Sequence, residues 1–383
     1  MSLVALCGPS GSGKTTLAEL LVSGFGAVHV TAITTRPPRS TEAPHYTHIT
    51  DAEFEEWAVA DAFAVVADYA DHKYGLLSTV LDSAIQSGRL AVVTVTVEAA
   101  LALAENVKYR HLTTTVFLDA PDSVLANRTG DRNSKLERQI AQGSERSHAT
   151  RCDLAICDFS PDAAGTLVEF VARHKGMGGV LSGRIIKAYL SCGLLLEGGE
   201  QQSVQGASYD LRLGDEYYYG GEISRLSAKR PILLIEPYDY AIVTSRERAK
   251  FPRDICATFD LSVGLFSQGV ILSNGPQVDP GFNGTLFCLL FNTSSSPVLM
   301  KRGQHYATLV FQRVVEMTEP YAGAKQNKNS IVDYLPVNAA RGAINELKVE
   351  IEDLRERSLT LQNVFLAVIA VLVTVVALLV AGG

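Results

Sequence analysis

The sequence predicts a multidomain protein: an α/β domain built around a P-loop, an all-β domain, and a coiled-coil helix leading into a single transmembrane helix. Three observations predict it. A short apolar strand, Val4-Ala5-Leu6, opens into the glycine-rich run Gly8–Thr16 and then the helical pattern LAELLVSGF. Short β-like segments separated by turn signals fill the middle of the chain. An uncharged apolar stretch occupies 364–381.

Composition sets the bounds. A chain of 383 residues fits two or three domains. With 47% hydrophobic and 20% charged residues it has material for true cores and is not a disordered chain. The net charge of −7 argues against a nucleic-acid-coating protein, so no nucleic-acid partner is expected. The six cysteines form no C-x-x-C pair and have no histidine at metal-ligand spacing; packed thiols in a reducing compartment are expected. The stretch MSLVALCGPS lacks a charged n-region and a long h-region, so no secretory signal is expected.

The first element is the phosphate cradle. Gly8-Pro9-Ser10-Gly11-Ser12-Gly13-Lys14-Thr15-Thr16 fits G-x-x-x-x-G-K-[ST] in the strand-to-helix context that the motif needs. Glycines let backbone N–H groups turn inward around phosphates. Lys14 supplies a point charge to the β/γ oxygens, and the Thr15 hydroxyl can ligate Mg²⁺. The residues Gly8, Ser10, Gly11, Ser12, Gly13, Lys14, Thr15 and Thr16 are the expected binding set, with ATP and Mg²⁺ as cofactors.

Next come Thr34-Thr35-Arg36-Pro37-Pro38-Arg39-Ser40-Thr41-Glu42, then His45-Tyr46, DAEFEEW and Tyr74-Gly75. In order and spacing these resemble the guanylate kinase family over about residues 1–175, which implies an α/β P-loop kinase domain. The resemblance implies that Arg36, Arg39, Glu42, Tyr46 and Tyr74 bind the acceptor. It also implies that Arg128, Arg132 and Arg138 are lid arginines acting with Lys14 on the transferring phosphoryl group. The family's base-reading positions have changed. Its glutamate falls on Val65, its small hydroxyl after Y-G on Leu76, its serine on Ala32 and its acidic residues near Thr94 and Thr96; Glu42 remains. A site built for a polar base edge rejects ligands that leave its groups unpaired. With apolar groups in their place, the acceptor expected is a nucleoside or sugar monophosphate other than GMP.

The middle domain follows a linker at 176–184 (GMGGVLSGR). Its β segments are YAIVTSRE, ICATFDLSV, GVILSNG, GTLFCLLFN and HYATLVFQRV, an all-β pattern. Ala207-Ser208-Tyr209-Asp210-Leu211-Arg212-Leu213-Gly214, the run Val278–Gly284 (VDPGFNG) and the late GQHYATLVFQRV resemble the dCTP deaminase and dUTPase family, over about 180–335. That resemblance implies an all-β dUTPase-like fold and a homotrimer. The family's acid/base glutamate falls on Leu289, which cannot move a proton. Its R-S-S-x-x-R phosphate clamp falls on Ser262–Ser267 without either arginine. Deamination and dUTP hydrolysis are not expected, and this domain is read as a trimerisation or ligand-sensing module.

At the C-terminal end, Ile344, Leu347, Ile351, Leu354 and Leu361 space as an a/d seam with Ser358 in the missing position. A coiled-coil stalk over 340–362 is expected, with a solitary amphipathic helix as the alternative. Residues 364–381 read VFLAVIAVLVTVVALLVA, with Thr374 the one polar residue. Eighteen helical residues span about 27 Å, enough for a hydrocarbon core. Arg355 and Arg357 flank the N-terminal side, so a single-pass tail anchor with the N-terminal bulk in the cytoplasm is expected.

Two functional readings follow. One is a membrane-anchored protein that transfers a phosphoryl group from ATP to a nucleoside or sugar monophosphate. The alternative is a nucleotide-sensing membrane effector without metabolic turnover, of the kind that would act in defence against phage.

Overall fold

The computed structural model describes residues 2–38, 46–69, 71–129, 143, 145–157, 159–335 and 343–381. The first unit is built on a five-stranded parallel sheet of β1 (Ser2–Cys7), β2 (Val28–His29), β7 (Leu90–Thr94), β8 (Thr113–Asp119) and β9 (Leu154–Cys157), in the order β2-β7-β1-β8-β9. Strands β1, β7 and β8 are near-continuous apolar or threonine runs because helices cover both faces. Helices α1 (Lys14–Phe25) and α6 (Pro161–Arg173) pack on one face through Leu17, Leu21, Leu167 and Val168. On the other lie α3 (Ser78–Gln86) and α4 (Val97–Glu105), through Leu81, Ile85, Ala100 and Leu103. Gly26, at φ 68°, stops α1, a left-handed conformation that glycine takes at no steric cost. Helix α5 (Asp122–Thr129) follows β8.

A smaller mixed sheet stands at the carboxyl ends of these strands. It consists of β3 (Ala32–Thr34), β4 (Tyr46–His48), β5 (Phe63–Tyr69) and β6 (His72–Leu77), in the order β4-β3-β6-β5. Helix α2 (Asp51–Val59) is started by a capping box: Thr50 Oγ1 accepts from Glu53 N, and the Glu53 carboxylate accepts from Thr50 N.

The second unit is largely β. A nine-stranded sheet runs β10 (Gly179–Val180), β20 (His305–Arg313), β12 (Tyr209–Tyr219), β15 (Tyr240–Lys250), β18 (Asn283–Asn292) and β17 (Val270–Ser273). Strands β11 (Leu195–Glu197), β13 (Glu222–Arg225) and β16 (Ile255–Leu261) join its sides, and β14 (Ile232–Ile235) pairs with β19 (Val298–Lys301). All five expected β segments are strands. The expected linker at 176–184 is more structured than a linker: β10 pairs with β20, and α7 (Gly183–Ser191) begins inside it. Helix α7 buries Ile185, Ile186, Ala188 and Tyr189, a helical spacing that the all-β reading passed over because the segment is only nine residues long. The four-residue α8 (Val263–Phe266) covers the stretch where the phosphate clamp was sought.

Buried charge holds this unit together. Arg212 Nε donates to Glu247 Oε1 at 2.6 Å, its backbone N–H to Glu247 Oε2 at 3.0 Å, and its Nη2 to Gly198 O at 2.8 Å, while Glu200 also pairs with the guanidinium. Tyr209 Oη donates to Glu247 at 3.1 Å, and burial pushes the phenol up to about 12.

The two units share one hydrophobic core, and α6 packs on α7. Arg313 bridges them. Its Nε donates to Asp254 Oδ2 at 2.8 Å, and its Nη1 donates to His174 O at 2.9 Å just past the end of α6. The Asp254 carboxyl is buried, which raises its pKa, and the adjacent guanidinium offsets this. Arg313→Ala should therefore cost about 3–5 kcal/mol by leaving Asp254 buried and unpaired. Thermal or urea unfolding checks it; a variant as stable as the parent would show that the pair contributes nothing net.

Of the six cysteines, Cys157 is exposed and the other five are buried. Helix α9 (Ala343–Ala381) is one continuous 39-residue helix, so the expected stalk and apolar stretch form a single rod. Glu350–Val376 within it is long and apolar enough to cross a membrane, with none of its apolar window buried against the rest of the protein.

Candidate functional site

The P-loop is where the parallel sheet predicts a ligand crevice, outside the carboxyl ends of its strands. Gly8 follows β1, Thr94 ends β7 and Asp119 ends β8. All three line one cavity of about 670 Å³. The smaller sheet closes its far side with Ala32, Arg36, Tyr46, Val65, Tyr69, Tyr74 and Leu76.

Glycine is required in the loop. Gly8 has φ 123°, and a Cβ there would meet Leu118 O at 2.1 Å. Gly13, with φ 99°, caps α1 and admits no side chain without strain. The first turn of α1 carries no acidic residue, so its N-terminal dipole is available to an anion. Lys14 Nζ donates to Gly8 O at 2.6 Å and Pro9 O at 2.9 Å, folding the side chain back over the loop. Burial lowers its pKa, opposed by the nearby Glu145 carboxylate. Ser12 is buried, and its Oγ has no hydrogen-bond partner among the described residues. Such an orphan hydroxyl, with these glycines and this lysine, fits the phosphates of a nucleoside triphosphate. Thr15 is exposed and lines the cavity, and its hydroxyl is the loop oxygen that would be offered to Mg²⁺. No cluster of three or more His, Cys, Asp or Glu side chains suited to a metal occurs among the described residues, so Mg²⁺ would lean on phosphate and water oxygens.

The structure brings most of the sequence-predicted residues together. Gly8, Ser10 through Thr16, Arg36, Tyr46, Tyr74 and Arg128 all line the cavity. Arg128, on α5, donates through Nη1 to Gly11 O at 3.1 Å, which places its guanidinium over the loop. Arg36 is buried; its guanidinium lies 5.8 Å from the centre of the Tyr46 ring. Its own N–H donates to Thr34 Oγ1 at 3.1 Å. Tyr74 stands edge-on to both Tyr46 (6.1 Å) and Tyr69 (6.3 Å). Arg39, Glu42, Arg132 and Arg138 lie outside the described residues.

Sequence reasoning missed four residues here: Tyr69, Asp119, Glu145 and Arg146. Arg146 clamps Asp119 bidentately, at 2.8 and 3.0 Å, and reaches Asp122 at 2.7 Å. It thereby ties the chain returning after α5 to the end of β8. Glu145, the residue before it, is buried at the cavity wall, and burial raises its carboxyl to about 7, helped by the charges of Glu98 and Asp119. No spacing marks Glu145 in the sequence, because only the tertiary return of the chain sets it beside Lys14.

This shift has a sign. Unfolded, the carboxyl ionises near 4.5; folded, near 7. Over that window the folded state binds more protons, so the group's contribution to stability is full below pH 4.5 and lost as pH rises through 7. Glu145→Gln should flatten the fall of melting temperature between pH 5 and pH 8. Equal slopes in calorimetry for variant and parent would contradict the assignment.

In the second unit, the residues retained from the deaminase pattern are engaged within the chain. Asp210 accepts from Gln205 Nε2 at 2.8 Å and Thr308 Oγ1 at 3.0 Å. Asp279 accepts from Gln277 at 3.1 Å. Leu289 is half-buried on β18, opposite Ile242 and Ser273. Ser262 and Ser267, on which the clamp arginines would fall, flank α8; Ser262 is half-buried and Ser267 exposed.

Comparison with known proteins agrees with this division. A guanylate kinase family model matches residues 1–160, and a dCTP deaminase-like model matches residues 180–314. The dCTP deaminase of Pyrococcus horikoshii is 34% identical over 140 residues, 36% of this chain and 88% of that protein. The dUMP-forming dCTP deaminase of Methanobrevibacter smithii is 27% identical over 191 residues, 44% of this chain and 98% of that protein. Among solved structures, guanylate kinase from Anaplasma phagocytophilum aligns with TM-score 0.37 and 20% identity, covering 45% of this chain and 84% of its own. The first unit is similar to guanylate kinases by its family-model match, and through its second unit the chain belongs to the dCTP deaminase-like family.

Proposed function

We propose that the protein binds ATP in its first unit and transfers a phosphoryl group to a nucleoside or sugar monophosphate other than GMP. One observation carries this reading: a complete phosphate loop and an acceptor-side cluster of Arg36, Tyr46 and Tyr74 face one another across a single cavity. ATP, held with Mg²⁺, supplies the phosphoryl group. Lys14 and the loop N–H groups bind its phosphates, and Thr15 offers the metal a hydroxyl. Arg128 stands where charge develops on the transferring group, and Arg132 and Arg138 are assigned to the same lid. Arg36, Arg39, Tyr46 and Tyr74 hold the acceptor's phosphate by charge-assisted and hydroxyl hydrogen bonds, with Glu42 the one remaining base-reading acceptor.

The second unit serves trimerisation or ligand sensing, without deaminase or dUTPase turnover. Leucine at 289 supports this, since it offers no proton. A trimer would bring three α9 helices together, with 340–362 as a coiled-coil stalk and 364–381 as tail anchors, the bulk of the chain being cytoplasmic. The exposed apolar length of α9 also supports a second reading, a nucleotide-sensing membrane effector without metabolic turnover.

Radiolabelled ATP with a panel of nucleoside and sugar monophosphates tests the transfer, and dCTP and dUTP test the second unit. Labelled product from a monophosphate is expected and none from dCTP or dUTP. No transfer to any acceptor, with ATP bound, favours the sensing reading; efficient GMP transfer or dCTP deamination contradicts the assignment.

A further inference from the structure

We infer that Cys7 and Cys152 form an oxidation site for a small peroxide, whose product, a disulfide directly behind the phosphate loop, weakens the protein's hold on ATP. Their sulfurs lie 3.9 Å apart, inside the core cluster that also holds Leu3, Ala5 and Phe117. Cys7 closes β1, and its neighbour is Gly8, the first residue of the loop. Cys152 follows the 3₁₀ turn Ala149–Arg151. It precedes Asp153, whose carboxylate accepts from Thr115 N at 2.7 Å and from Thr115 Oγ1 at 3.0 Å.

The two thiols are not equivalent. The contact with Cys7 holds the Cys152 pKa below its usual value, while that same contact and burial push Cys7 well above it. Cys152 is therefore the thiol that ionises and attacks, and Cys7 the one that resolves. Cys7 is wholly buried, whereas Cys152 keeps 4% exposure beside a turn whose Thr150 and Arg151 are exposed. Local opening of that turn admits a molecule little larger than water.

The Cys152 thiolate attacks one peroxide oxygen, the O–O bond breaks, and the departing hydroxide takes up the thiol's proton as water; Cys152 is left as a sulfenic acid. The Cys7 sulfur then attacks the Cys152 sulfur, the S–O bond breaks, and hydroxide leaves with the Cys7 proton as a second water. The two thiols lose two electrons and the peroxide gains them. A dithiol reductant reverses the bond by thiol–disulfide exchange.

A disulfide holds its sulfurs at about 2.05 Å, so the pair must close by about 1.9 Å. Strand β1 resists that movement because it is hydrogen-bonded to β7 on one edge and β8 on the other. Any part it does supply passes to Gly8, which has no slack. Gly8 O accepts from Lys14 Nζ at 2.6 Å, and Leu118 O stands where a Cβ would be. The remainder falls on the stretch leading back from Cys152 to Arg146, which clamps Asp119, and to Glu145 in the cavity wall. Both routes end on the nucleotide site.

The test uses full-length Cys157→Ser protein in detergent micelles, so that the exposed thiol does not compete. Hydrogen peroxide is added, unreduced peptides are mapped by mass spectrometry, and ATP affinity is measured by calorimetry before oxidation, after it, and after dithiothreitol. A linked Cys7–Cys152 peptide is expected, with ATP bound about 10-fold more weakly and its affinity restored by dithiothreitol. Coupling is reciprocal, so saturating ATP with Mg²⁺ should disfavour the disulfide by the same factor in a dithiothreitol redox buffer. Cys7→Ala and Cys152→Ala, each in the same background, should give no linked peptide and keep their ATP affinity through peroxide. Absence of the linked peptide from the Cys157→Ser protein overturns the site. A linked peptide with unchanged ATP affinity overturns its effect on the loop, as does an equal loss of affinity in peroxide-treated Cys152→Ala.

Discussion

Lys14→Ala should abolish ATP binding, weakening it by roughly 100-fold or more, the range seen when a charge-stabilising donor is lost from a water-poor site. The structure gives two reasons. The ammonium is the cation inside the loop, with burial already straining its charge and Glu145 beside it. It also ties the loop to itself through Gly8 O and Pro9 O, so its removal both deletes a charge and loosens the cradle. Calorimetric titration of ATP with Mg²⁺ reads the first effect, and a melting curve without nucleotide separates out the second. Unchanged ATP affinity in a folded variant would remove the loop from the binding site. Thr15→Ala provides the companion result: ATP should still bind, with most of its Mg²⁺ dependence gone.

The second large effect lies at the other end of the chain. Deleting 364–381 should move the protein from the carbonate-washed membrane pellet to the supernatant. Leu, Ile, Val and Phe each favour the bilayer centre by about 0.3–0.6 kcal/mol, and this segment is made almost entirely of them and alanine. Its one polar side chain is already satisfied, because Thr374 Oγ1 donates to Ala370 O at 2.7 Å within the helix. No part of the apolar window is covered by the rest of the protein, so no described residue packs it into a core. Intact protein found wholly in the supernatant would refute the anchor and point instead to α9 pairing with other helices.

These two expectations rest on features that are local in sequence. A phosphate loop is nine consecutive residues whose glycines dictate their own backbone, and an apolar helix is a run whose composition fixes its solvent. Both can be read from the chain because neither needs a distant residue to define it. The acceptor side was legible in part: Arg36, Tyr46 and Tyr74 came from a spaced pattern, and the structure sets them around one cavity with Arg128 above the loop. The loss of base-reading groups at Ala32, Val65 and Leu76 was equally visible, since an apolar residue in a polar position needs no structure to be noticed.

What the sequence hid came from returns of the chain. Tyr69 belongs to no motif; alternation along β5 sets it on the cavity side, edge-on to Tyr74. Glu145 and Arg146 had no motif; they matter because the chain comes back after α5 and inserts one beside Lys14 and the other onto Asp119. Arg313 is one residue of the segment HYATLVFQRV in the sequence, yet it joins Asp254 to the end of α6 across the two units. The nine residues of α7 were lost among β signals because so short a helix gains its stability from the surface it buries more than from its own propensity.

The sequence by itself therefore determined the phosphate loop, the apolar helix, the order of the two units and the change of character in the acceptor wall. These are properties of contiguous residues, or of motifs whose backbone demands are local. The tertiary structure alone decided which polar atoms are left without partners, which carboxyl is driven toward neutrality, and how the two units are pinned together. Burial and pairing are set by residues far apart in the chain, and a buried group's energy depends on what surrounds it rather than on what precedes it.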